Sequence, residues 1–75
     1  MLQTSGMTST FWLSSRETAD QAHSELDSVG YSLGKVVKSP SGRGLWLTVS
    51  HKPEELAEVI TLVTTVDPSA LKEGG

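Results

Sequence analysis

Two tryptophans hold most of what this 75-residue chain could do chemically. Trp12 lies in the run Thr10-Phe11-Trp12-Leu13 and Trp46 in Leu45-Trp46-Leu47-Thr48-Val49, each between apolar neighbours that alternate with it. An indole is equipped for recognition rather than for bond making. If both runs are β-strands, the period of two places Phe11, Leu13, Leu45, Leu47 and Val49 on one face and both tryptophans on the other. A sheet this small covers only one face with helices, so the tryptophans are expected on the open side as a binding surface. A register shifted by one residue is the alternative and would turn them into the core.

The remaining reactive residue types lack partners at useful spacing. His23 and His51 are the only histidines, without ligand spacing between them, and are expected at a helix flank and a strand end rather than in a metal site. Ser14-Ser15 and Ser39 to Ser41 have no base or oxyanion-hole motif nearby, so capping and turn formation account for them. The Ser41-Gly42-Arg43-Gly44 tip lacks the strand-to-helix setting of a phosphate loop. Glu54, Glu55 and Glu58 read as an acidic helix start that solvates the surface or meets a basic partner. The expectation is a protein that is not an enzyme, with no catalytic residue, metal or cofactor.

Composition narrows the setting. The chain has room for one domain with a modest core. With no cysteine there are no disulfides or thiolate metal sites, which favours the cytoplasm. Six Lys plus Arg against nine Asp plus Glu leave a formal net charge of -3, a balance that argues against nucleic acid as a partner. No stretch approaches the roughly 20 apolar residues of a membrane span, and the start does not read as a signal peptide. A soluble protein without membrane association is expected.

The elements that must position the tryptophans follow in order. Residues 1–8 read as a flexible arm, 9–66 as a single α+β domain and 67–75 as a flexible tail. A first strand at about 9–14 runs into Ser14-Ser15-Arg16-Glu17, which has the form of a capping box with Ser14 as cap. The helix it opens carries Ala19, Ala22, Leu26 and Val29 on its apolar side, and Gly30 stops it, with Tyr31 packing back on Leu26. A second strand from Tyr31 to Lys38 slips in its alternation between Lys35 and Val36, and that slip with Gly34 suggests a bulge. The turn formers Ser39 to Gly44 join it as a hairpin to the Trp46 strand. Pro53-Glu54-Glu55 then opens a second helix with a stripe of Leu56, Val59, Ile60 and Val63. The β-branched residues from Ile60 to Val66 leave a short fourth strand as the alternative to continued helix. Strand, helix, strand, strand, helix predicts a ferredoxin-like βαββα fold: a small antiparallel sheet with two helices on one face and the tryptophans adjacent on the other, among Thr10, Thr48 and Ser50.

The run Phe11-Trp12-Leu13, then Ser15-Arg16-Glu17-Thr18-Ala19, then Leu26 through Gly30-Tyr31, then Gly44-Leu45-Trp46-Leu47-Thr48-Val49 with a Pro-Glu helix start, resembles the ribonuclease E inhibitor family, of the regulator of ribonuclease activity B type. The likeness covers about residues 10 to 63. It implies a non-enzymatic regulator that docks on a ribonuclease or its scaffold region and changes RNA turnover. The residues expected to meet the partner are Trp12, Trp46, Thr48, Lys35 and Arg43. Two other readings stand beside it. A single-stranded RNA-binding module would stack bases on the strand aromatics and use Lys35, Lys38 and Arg43 for phosphates, although the basic, glycine-flanked aromatic signature of such modules is absent. A small inhibitor of some other enzyme, host or virus-encoded, would have the same composition. A homodimer through the sheet edge or the open face is a further expectation.

Overall fold

The computed structural model describes residues 6–73. Strand β1 spans Met7–Leu13, helix α1 Arg16–Val29, β2 Ser32–Leu33, β3 Val37–Lys38, β4 Leu45–His51, and α2 Leu56–Val66, entered through a 3-10 turn at Pro53–Glu55; β5 spans Leu71–Lys72. All pairings are antiparallel: β5 lies on β1, β1 on β4, and β2 and β3 successively on β4. With β2 and β3 taken as one interrupted strand, this is the strand order of a ferredoxin-like α+β fold, with β1 and the tryptophan strand at the centre.

The two central strands pair from Met7 opposite His51 to Leu13 opposite Leu45. Alternation then does what the sequence predicts. Phe11, Leu13, Leu45, Leu47 and Val49 are buried with Ala19, Ala22 and Leu26 of α1 and Val59 and Val63 of α2. The helices cover that one face and the opposite face stays open. Phe11, Leu13, Leu26, Leu47, Val49, Val59 and Val63 lose essentially all contact with water, each contributing about 1.5–3 kcal/mol of transfer free energy.

Helix α1 differs from expectation at its ends. Its cap is Ser15, whose hydroxyl accepts from Thr18 N–H, and not Ser14. Val29 is 52% exposed instead of packing under the helix, because α1 ends there: Gly30 takes φ +109° and its N–H bonds the Asp27 carbonyl while Tyr31 N–H bonds that of Leu26. Those paired bonds make the Schellman stop that a left-handed glycine permits.

Helix α2 continues through Val66, so the strand alternative after Ile60 does not form. Its threonines are accommodated by back-bonding: Thr61 donates to the Ala57 carbonyl, Thr64 to that of Ile60 and Thr65 to that of Thr61. Such bonds satisfy a β-branched hydroxyl inside a helix.

The expected bulge is present between β2 and β3. Leu33 faces Val49 and Val37 faces Trp46, so four residues advance on one strand against three on the other. One residue is extra, and the predicted continuous strand 31–38 is split in two.

Both expected termini need correction. β1 begins at Met7, two residues inside the arm assigned to 1–8, and residues 1–5 of that arm lie outside the described residues. Residues 67–73 are not a free tail either. Asp67 is buried, and Leu71–Lys72 pair with Trp12 and Phe11 as a fourth strand line. No helix among the described residues is long and apolar enough to cross a membrane.

Candidate functional site

Trp12 and Trp46 stand directly opposite each other across β1 and β4. The row continues in both directions, since Val37 of β3 pairs with Trp46 and Leu71 of β5 pairs with Trp12. Residues paired in register point to the same side of a sheet, so Val37, Trp46, Trp12 and Leu71 form an apolar stripe across the whole width of the uncovered face. Val37 is 49% and Leu71 61% exposed, and both indoles are half-buried. Polar residues flank the stripe. The Thr10 and Thr48 hydroxyls lie 3.4 Å apart, and Glu73 N–H bonds the Thr10 carbonyl at 2.7 Å, extending the β5 pairing.

The ring of Trp12 is held by the hairpin. Its Nε1–H donates to the Arg43 carbonyl at 2.8 Å. Gly44, at φ +75°, leaves the room the ring needs: a Cβ there would overlap the indole nitrogen and approach the Leu13 carbonyl oxygen to 2.6 Å. The hairpin tip folds against this arrangement, with Gly42 N–H bonding the Ser39 carbonyl and the Ser39 and Ser41 hydroxyls 3.0 Å apart. Trp46 has no such anchor. Its Nε1–H is buried without an acceptor among the described residues, which costs on the order of 1–3 kcal/mol in desolvation.

The two tryptophans line an open hollow of about 370 Å³ together with the tip residues Ser39, Pro40 and Ser41 and with Leu71 and Glu73. Among the described residues, Glu73 is the one charged residue lining it, and no lysine, arginine or histidine does.

The five residues expected at the partner surface are not all brought together. Trp12, Trp46 and Thr48 share the open face. Arg43 contributes its carbonyl to Trp12, while its side chain is not part of the hollow. Lys35, in the bulge, lines a different depression with Arg16, Asp20, His23 and Val36 at the edge where α1 lies. Val37, Leu71 and Glu73 were not expected at the site; a two-residue strand leaves no alternation to read, and their membership follows from pairing alone.

Two polar clusters on the helix side of the sheet are structural. Ser9 Oγ lies 2.8 Å from His51 Nε2, both residues buried, and His51 Nδ1 lies 2.7 Å from the Lys52 carbonyl. A carbonyl only accepts, so Nδ1 bears a proton, and in the neutral ring Nε2 accepts from the serine. His51 is therefore a buried strand-end group rather than the surface histidine expected. Asp67 accepts from Ser14 N–H, Ser14 Oγ–H and Thr18 Oγ1–H at Oδ2, and from Ser69 N–H at Oδ1. Burial pushes its carboxyl upward, but the Ser14 amide and hydroxyl bonds, then those from Ser69 and Thr18, outweigh it and hold the group below the ordinary aspartate range. Near the opposite end, burial and then the charges of Glu58 and Glu55 raise the Tyr31 hydroxyl above its ordinary range.

Among the described residues, no group of three or more His, Cys, Asp or Glu side chains converges on a point where a metal could sit. No family model matches this chain, and no curated protein matches it in sequence.

Proposed function

We propose that this chain is a small non-enzymatic interaction module, a regulator or inhibitor that docks on a protein partner through the open sheet face. The observation that carries this reading is the apolar stripe Val37, Trp46, Trp12 and Leu71, which crosses a face no helix covers. Large aromatics at the centre of a patch with a polar rim are the residues that dominate binding energy in protein interfaces. The mechanism is occupancy: the module covers part of its partner, with no covalent step. The resemblance to ribonuclease E inhibitors supplies the first partner to try, a ribonuclease or its scaffold segment.

Base stacking on the same indoles is the competing use, and the surroundings speak against it. The hollow is lined by a carboxylate and no cation, and Lys35 sits in another depression, whereas single-strand binders combine stacking aromatics with a positive groove.

The test is binding of purified ribonuclease E and of its isolated scaffold segment to the wild-type chain and to Trp12→Ala and Trp46→Ala, with affinity capture from lysate as a parallel arm. Partner binding should fall by tenfold or more in each variant at about 1.4 kcal/mol per decade, while the fold is retained. Partner binding that survives both substitutions unchanged would remove the open face from the reading.

A further inference from the structure

The chemistry of the tryptophan hollow is more specific than apolar docking. It is lined by Trp12, Trp46, Leu71 and Pro40 with Ser39 and Ser41, and its charged residue is Glu73. An indole face carries negative quadrupole potential and attracts a cation within about 6 Å of the ring centre. A carboxylate at the rim of the same hollow adds a full negative charge. Among the described residues, no lysine, arginine or histidine in the lining neutralises it.

The chain as a whole is acidic, with formal net charge -3. A second copy carries the same net negative charge, and an RNA strand would bring phosphates to the Glu73 carboxylate. Both approaches put like charges together. A positively charged group meets complementary potential instead. Between the two cationic side chains, a planar guanidinium fits the hollow better than a compact ammonium: it stacks flat on an aromatic face, is more weakly hydrated, and can bond a carboxylate through two N–H groups.

We propose that the hollow lined by Trp12 and Trp46 receives an arginine side chain of the partner protein, its guanidinium lying against the indoles and paired with the Glu73 carboxylate. This deepens the docking reading above and rests on it. The hairpin gives the hollow a fixed wall, because Trp12 is tethered to the Arg43 carbonyl and seated on Gly44. Trp46 has no acceptor for its N–H among the described residues.

The probe is the peptide acetyl-Gly-Arg-Gly-Arg-Gly-amide, titrated into the full chain while the two indole N–H signals are followed by NMR. The control is the same peptide with citrulline, which is nearly isosteric and neutral, in place of arginine. Saturable shifts of both indole signals are expected with arginine, with affinity lower by about tenfold for citrulline and by about three- to tenfold for Glu73→Gln. Glu73→Gln leaves the stripe and its backbone pairing in place, so a folding defect does not confuse the result. Equal binding of the arginine and citrulline peptides, or an unchanged affinity in Glu73→Gln, overturns the proposal. A lysine peptide that binds as tightly as the arginine one overturns the guanidinium assignment, and salt-sensitive binding of oligouridylate at the same indole signals overturns the choice of a protein side chain. Failure here with partner binding still lost in Trp46→Ala would reject the cation alone; partner binding unaffected by either tryptophan substitution would reject the docking face itself.

Discussion

The Asp67 carboxylate, just past the end of α2, accepts both the backbone N–H and the hydroxyl of Ser14, at 2.8 and 2.7 Å, and so ties the C-terminus of one helix to the turn that starts the other. The same contact explains why Ser15 rather than Ser14 caps α1. Ser14 has its hydroxyl committed to a residue 53 positions away.

Asp67→Asn should destabilise the fold by about 1–3 kcal/mol at pH 7, in the range for an unmet buried hydrogen bond to a charged group. Two of the donors are backbone N–H groups, Ser14 at Oδ2 and Ser69 at Oδ1. An asparagine amide accepts at one end only, so whichever way it turns, one N–H meets another. Urea unfolding of the two proteins at pH 7 measures the difference.

Acid should erode the same contact. The folded carboxyl titrates below its ordinary value, so its contribution is fully present above the unfolded aspartate value of about 3.9 and is lost as pH falls through the lower folded value. Wild-type stability should therefore drop as pH falls below about 4 more steeply than that of Asp67→Asn. Parallel acid limbs for the two proteins in pH-dependent urea melts would show that the carboxylate is not the group responsible.

Gly44→Ala should perturb the site from outside it. The residue sits at φ +75°, and its new Cβ would meet the Trp12 ring and the Leu13 carbonyl. A cost of about 1–3 kcal/mol is expected from the backbone alone. The Trp12 indole N–H resonance should move as its bond to Arg43 is disturbed. A variant with an unchanged indole spectrum would mean that the ring does not rest on this glycine.

The two indole N–H groups should differ in worth. Trp12→Phe removes a bond to the Arg43 carbonyl, while Trp46→Phe removes a donor that has no acceptor. Both lose similar ring area, so the comparison isolates the hydrogen bond. Trp12→Phe should be the more destabilising by about 1–2 kcal/mol, read from thermal or urea melts of the pair.

His51 should be found as the Nδ1–H tautomer, because Nδ1 faces a carbonyl and Nε2 accepts from Ser9. Nitrogen-15 imidazole shifts in the neutral ring report this directly. Ser9→Ala would leave Nε2 buried without a donor and should cost about 1–3 kcal/mol. An Nε2–H ring in the wild type would require the Lys52 contact to be rearranged.

What the sequence determined by itself was local or periodic. Strict alternation in Phe11 to Leu13 and Leu45 to Val49 assigns the faces of the two central strands, because a one-residue slip would put every large apolar group in water. Gly30 stops α1 because few other residues take a left-handed backbone without strain. Pro53 with its acids opens the second helical segment for equally local reasons. The tertiary structure alone decided the rest. Leu71 and Lys72 become a strand only because β1 presents an unpaired edge, and no two-residue run has a period of its own. Asp67 and Ser14, and Ser9 and His51, are distant in sequence and close only once the sheet is paired and the helices are packed on it, since buried polar groups take whatever donors and acceptors the fold delivers. Lys35, two residues on from Leu33, lines a depression beside α1 instead of the tryptophan face, and Glu73 is placed beside the tryptophans by a short edge pairing. Which charges border the tryptophan hollow was therefore settled by long-range pairing, whose hydrogen bonds join backbone groups whatever side chains they bear.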